Sequence, residues 1–154
     1  MRKIKNRILI TGAAGFIGAA LSKKLIKEGQ FVIGLDNMSE YYDVELKKSR
    51  LLEINQLKEK NNINWIFNKI SIEDHNLIFE IFDKFKPSIV VHLAAQAGVR
   101  YSIANPYAYF QSNLLGFGNI LEACRKFKVK NLIYASSSSV YGGNLNLPYK
   151  EDQG

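Results

Sequence analysis

Short apolar runs alternate along this chain with longer stretches whose apolar residues recur at helical spacing. Arg7–Thr11 (Arg-Ile-Leu-Ile-Thr) is β-branched and bounded by glycine, which predicts a short buried strand. Gly15 to Lys27 repeats apolar residues at Ile17, Leu21, Leu25 and Ile26, predicting a helix that Gly29 stops. Phe31–Asp36 predicts a second strand ending on a carboxylate. Val44 to about Lys60 predicts a lysine-rich amphipathic helix through Leu46, Leu51, Leu52, Ile54 and Leu57. A third strand is predicted over Ile63–Ile70, with Trp65, and a helix over Leu77 to Phe85, ended by Pro87. Ile89–Leu93 predicts a fourth strand, apolar except for His92. After a polar loop, Pro106 to Phe127 predicts one long helix, with Pro106 in its first turn. Leu132–Ser136 predicts a fifth strand, and Gly142, Gly143, Asn144 and Pro148 signal loop beyond it.

Strands that alternate with helices and are apolar on both faces predict an α/β fold, a doubly wound parallel sheet of the Rossmann type. Right-handed crossovers give the strand order 3-2-1-4-5. A ligand then belongs at the carboxyl ends of the strands, near the switch between strands one and four. The whole chain, 1–154, is expected to form one such domain.

Composition changes this picture little. The 154 residues are 47% hydrophobic, enough for one sizeable core. The net charge of +7 is scattered rather than blocked, which means solvated helix faces with a general bias toward anionic ligands such as nucleotides. No basic run interleaved with aromatics points to nucleic acid, and no segment is apolar enough to span a membrane. The single cysteine, Cys124, excludes an internal disulfide framework and suits a reducing cytoplasm; its apolar setting predicts a core position. Neither histidine has metal-ligand spacing, so no metal is expected. Met1–Arg7 and the apolar residues after it imitate a secretory signal, but regularly spaced glycines interrupt the stretch and Lys23 and Lys24 close it.

The chemistry lies in those glycines. Gly12-Ala13-Ala14-Gly15-Phe16-Ile17-Gly18 leaves strand one and enters helix one. Gly12 permits the tight turn, Gly15 lets a pyrophosphate approach the backbone, and Gly18 lets the helix pack on the sheet. The amides of Phe16 and Ile17 then face the anion. Asp36 closes strand two, where a carboxylate accepts hydrogen bonds from ribose hydroxyls and repels a 2′-phosphate, favouring NAD over NADP.

With these residues placed, the chain resembles the extended short-chain dehydrogenase/reductase superfamily, specifically its NAD-dependent nucleotide-sugar epimerases, with the UDP-glucuronate 4-epimerases the nearest branch. The resemblance is carried by Thr11–Gly18, by Gly34-Leu-Asp-Asn-Met-Ser-Glu-Tyr-Tyr-Asp43, by His92-Leu-Ala-Ala-Gln-Ala-Gly-Val-Arg-Tyr-Ser102 and by Tyr134-Ala-Ser-Ser-Ser-Ser-Val-Tyr-Gly-Gly143. It implies that Phe16, Ile17, Asp36 and Asn37 serve the cofactor's pyrophosphate and adenosine ribose. It implies further that Leu93, Ala94, Ala95, Gln96 and Asn113 line its nicotinamide side. Ser137 matches the residue that orients the reacting sugar hydroxyl, and Ser138 supports it where related dehydratases carry an acid. Arg100 is a candidate for an anionic group of the substrate, though a surface salt bridge explains it nearly as well. His92 reads as a satisfied core histidine.

Two departures stand out. Where the family usually has an aspartate on the adenine amino group, this chain has Ser71, followed by Ile72. The superfamily's catalytic Tyr-x-x-x-Lys pair is absent from the 154 residues; no tyrosine is followed four positions on by lysine. The resemblance places that pair just past the end of this chain, together with later strands and the sugar-binding lobe, so it implies an NAD-binding domain, 1–154, incomplete at its C-terminus and without turnover. Its implied partners are NAD, a UDP-sugar and, in full-length relatives, a second subunit of a homodimer. A non-catalytic binding module and an epimerase for UDP-glucose are the competing readings.

Overall fold

The computed structural model describes residues 6–61 and 65–153. Five strands carry the architecture: β1 (Arg7–Thr11), β2 (Phe31–Asp36), β3 (Trp65–Lys69), β4 (Ile89–His92) and β5 (Asn131–Tyr134). All pair in parallel, in the order β3-β2-β1-β4-β5 expected from the sequence. Positions 63 and 64 of the expected third strand lie outside the described residues. Between strands run α1 (Phe16–Lys27), α2 (Val44–Asn61) and α3 (His75–Phe85). Beyond β4 come α4 (Val99–Ala104), α5 (Pro106–Tyr109), a π-helical stretch (Phe110–Gly116) and α6 (Phe117–Lys126).

Because successive strand residues point to opposite faces, β1 sends Leu9 into one core and Ile8 and Ile10 into another. The first core joins Leu9, Ile33, Leu35 and Val90 to Ile78 and Phe82 of α3 and Ile120 and Ala123 of α6. The second joins Ile8, Ile10, Val32 and Val91 to Ala19 and Ile26 of α1, Ile54 of α2 and Trp65 of β3. This double cover explains why β1, β2 and β4 read as continuous apolar runs, whereas β5, expected to be apolar on both faces, leaves Ile133 and Tyr134 exposed.

Several details differ from the sequence reading. The face of α1 that packs is Gly18, Ala19, Ser22 and Ile26, so small residues bring the helix close, and Ile17 stands exposed. On α2 the apolar residues Leu46 and Leu52 face solvent while Lys47 is buried. Helix α3 begins at His75 because Asp74 caps it, its carboxylate accepting from the amide of Leu77 at 3.0 Å. The loop expected before Pro106 contains α4, and the single long helix is interrupted by the π-helical stretch. Among the described residues no helix is long and apolar enough to cross a membrane.

Candidate functional site

At the carboxyl ends of β1, β2 and β4 a cavity of about 210 Å³ opens between Gly12 and Gly15 on one wall, Asp36 and Asn37 on a second, and Leu93–Gln96 on a third. The glycine turn sets its floor. Gly12 holds φ +69, and a Cβ there would lie 2.9 Å from the Ala94 amide, so only glycine fits both the backbone and the space. A Cβ on Gly18 would stand 2.1 Å from the Gly12 carbonyl, which accounts for the third glycine by packing. At the head of α1, Gly15 supplies no side-chain cap and the first turn holds no acid. Phe16 and Ile17 are exposed there, and the first amides of the helix face outward with the positive end of its dipole.

Asp36 is buried, and three groups fix its carboxylate. Oδ2 accepts from the Ala14 amide at 3.1 Å, which ties the glycine turn to β2. Oδ1 accepts from the Met38 amide at 2.8 Å and from Lys47 Nζ at 3.4 Å. Lys47 also donates to Ser39 Oγ at 3.4 Å and lies under the ring of Tyr42. Arg50, one turn further along α2, donates to the Ala14 carbonyl at 3.2 Å and to Tyr42 Oη at 3.0 Å. Asn37 forms a local turn, its Oδ1 accepting from the Ser39 amide.

The wall after β4 is held from two sides. Thr11 Oγ1 accepts from the amides of Leu93 (3.1 Å) and Ala94 (3.0 Å) and donates to His92 Nδ1 at 2.8 Å. Burial lowers the His92 pKa to about 4, so the ring is neutral at pH 7. Asn113, in the π-helical stretch, clamps Gln96: Oδ1 accepts from the Gln96 amide at 2.9 Å and Nδ2 donates to its carbonyl at 3.0 Å. Tyr41, which lines the cavity, meets the ring of Tyr101 at 4.9 Å, and the Tyr109 hydroxyl shares its one proton between the carbonyls of Ala97 and Gly98.

The structure therefore brings together Gly12, Gly15, Asp36, Asn37, Ile72, Leu93, Ala94, Ala95 and Gln96 around one cavity. Gly18 and Asn113 stand behind it as supports. Ser71 turns elsewhere: its hydroxyl donates to Glu73, whose other carboxylate oxygen accepts from Ser112 at 2.6 Å. Ser137 and Ser138 lie outside the cavity on an exposed 3-10 turn, where Ser137 Oγ caps the amide of Ser139 at 3.2 Å. Arg100 is exposed on α4. Sequence reasoning missed Lys47, hidden by the lysine-rich pattern of its helix, and Ser39, Tyr42 and Ser112, which also line the cavity.

Residues 9–154 match the family model described as GDP-mannose 4,6 dehydratase. The chain is 54% identical over 143 residues to Protein CapI of Staphylococcus aureus, covering 93% of this chain and 41% of that protein. It is 45% identical over 144 residues to a UDP-glucuronate 4-epimerase of Thermodesulfobacterium geofontis, covering 94% and 43%. A crystal structure of the Thermus thermophilus UDP-glucose 4-epimerase in complex with NAD superposes with a TM-score of 0.68 at 34% identity, covering 85% of this chain and 37% of that one. The chain thus spans well under half the length of the curated relatives it matches.

Proposed function

The chain belongs to the GDP-mannose 4,6 dehydratase family, and from that premise we propose that it is the NAD-binding portion of a nucleotide-sugar epimerase. The sugar nucleotide we assign is UDP-glucuronate, interconverted with UDP-galacturonate through a 4-keto intermediate. The observation that carries the reading is the cavity itself, in which the glycine turn, the buried Asp36 carboxylate and the Leu93–Gln96 wall converge. The residues fit a dinucleotide. The uncapped head of α1 offers amides to a pyrophosphate, and Asp36 retains a lone pair on Oδ2 for a ribose hydroxyl beside its three donors. NAD, when bound, supplies hydride acceptance and return at its nicotinamide.

The chain's own residues hold and orient. Thr11 and Asn113 fix the Leu93–Gln96 wall from behind, so its backbone is rigid before a ligand arrives. In this reading Ser137 orients the reacting sugar hydroxyl with Ser138 beside it, and Arg100 meets an anionic group of the substrate. With no Tyr-x-x-x-Lys pair in the chain, no residue supplies the proton transfer of epimerisation, and the isolated chain does not turn over. The glucuronate assignment draws support from the relative of that name.

The test is calorimetric titration of the isolated chain with NAD, alongside Asp36→Asn. Saturable binding, weakened about tenfold by the variant, is expected from loss of a charge-assisted acceptor. A chain that binds no NAD at millimolar concentration overturns the reading. Incubation with NAD and UDP-glucuronate should give no UDP-galacturonate; enzyme-like turnover would refute the inactivity. Titration of the NAD-loaded chain with UDP-glucuronate and UDP-glucose in parallel discriminates the sugars, and preference for the neutral sugar sinks the glucuronate assignment.

A further inference from the structure

The sequence presents Asp36 as a carboxylate that repels a 2′-phosphate, and the structure gives it a buried countercharge. Lys47 and Asp36 have side chains only 6% exposed each, with Nζ 3.4 Å from Oδ1, and both residues line the cavity. We propose that Lys47 sets how far this site discriminates against a 2′-phosphorylated adenosine ribose, by cancelling the Asp36 charge from beneath. The inference rests on the dinucleotide reading above and concerns which dinucleotides that site admits.

The argument is electrostatic. An unpaired carboxylate in a half-buried cavity repels a phosphate placed on the neighbouring hydroxyl, because the low dielectric leaves the charges poorly screened. Here the carboxylate and ammonium form a pair with no net charge. Lys47 is held in place by Ser39 Oγ and by the Tyr42 ring, so it cannot swing into solvent without leaving cavity and cation–π partners behind. Arg50 adds a second cation on the same helix, bound to the turn at Ala14. What remains against a 2′-phosphate is the space around Asp36 and the Ala14 and Met38 amides already on its oxygens. Those features act through shape and are the same with or without the lysine charge. Lys47 is thus a specificity residue that never has to touch the ligand.

The experiment measures the NAD and NADP dissociation constants for the full chain and for Lys47→Met. Removing the cation exposes the Asp36 charge, so the NADP/NAD ratio should rise by about tenfold or more in the variant. Lys47→Arg, which keeps the charge, should leave the ratio within about threefold of the parent. An unchanged ratio in folded Lys47→Met overturns the proposal, whatever happens to NAD affinity alone, since a purely structural lysine would weaken both ligands alike. Should that variant not fold, Lys47→Gln carries the same expectation, and the unmodified chain supplies an independent reading. Its own ratio should stay below about a thousandfold, and a larger one overturns the proposal because an uncancelled charge is then at work. A parent chain that binds neither dinucleotide instead defeats the dinucleotide reading, and this inference with it.

Discussion

Thr11 gives its only hydroxyl proton to His92. Two amides, from Leu93 and Ala94, occupy the acceptor positions of Oγ1, so the 2.8 Å contact to Nδ1 has one polarity. The imidazole must therefore be neutral with its proton on Nε2. A protonated ring would present a second N–H to an oxygen whose own proton then has nowhere to go. The sheet strand that leads into the glycine turn and the strand that leads into the opposite wall are joined through this hydroxyl.

A pH dependence of stability follows. The folded-state pKa of His92, about 4, lies below the ordinary value of 6.5, so between those limits the unfolded chain takes up a proton the folded chain refuses. The contribution is complete above pH 6.5 and is lost progressively as pH falls toward 4. Its slope is about 1.4 kcal/mol per pH unit within that window. Urea unfolding at pH 7, 6 and 5 should show the decline, and His92→Asn should flatten it.

Thr11→Val keeps shape and removes the hydroxyl. It strands His92 Nδ1 in a buried setting and the Ala94 amide in a part-buried one, which should cost about 1–3 kcal/mol of stability. Thr11→Ser retains the hydroxyl and should lose less than half as much. Equal losses in the two variants would assign the effect to the methyl group instead.

Two glycines of helical segments should respond in opposite directions. Gly18→Ala drives a methyl into the Gly12 carbonyl and should destabilise by about 1–3 kcal/mol or prevent folding. Gly118→Ala meets nothing within 4 Å on an exposed face of α6 and should stabilise by about 0.5–1 kcal/mol. Thermal melts of both variants decide the matter.

Cys124 should be inert while the chain is folded. Burial against the core pushes its thiol pKa up to about 11, so almost no thiolate is present at pH 8. Alkylation by a maleimide or release of thionitrobenzoate should be slow in buffer and fast in denaturant, with the rate tracking unfolding.

Strand order was legible because strands alternate with helices and right-handed crossovers leave few arrangements, and β1, β2 and β4, buried on both faces, leave continuous apolar runs. The glycine turn was legible for a related reason, since backbone contacts at Gly12 and Gly18 leave no room for a side chain. Helix α4 was not, because Val99 and Ile103 are exposed and it offers no buried stripe to detect. Asn113 has a ligand role only by resemblance, and its clamp on Gln96 depends on the π-helical backbone, which periodicity does not encode. Ser71 stands in the sequence where the family usually has an acid, and no pattern shows that its hydroxyl donates to Glu73, two residues away. Lys47 escaped notice because a buried lysine and a solvated one are written with the same letter.

The gap at Gly34 gives the molecule an internal optical probe. A Cβ there would strike the Trp65 ring at 2.3 Å, so the indole occupies volume that β2 vacates, while its N–H reaches Asn55 on α2 at 3.0 Å. As the sole tryptophan, and 2% exposed, Trp65 should emit at short wavelength, and its red shift should mark the moment α2 leaves the sheet. Because α2 also brings Lys47 and Arg50 to the cavity, that colour change reads out the integrity of the adenosine corner without any label.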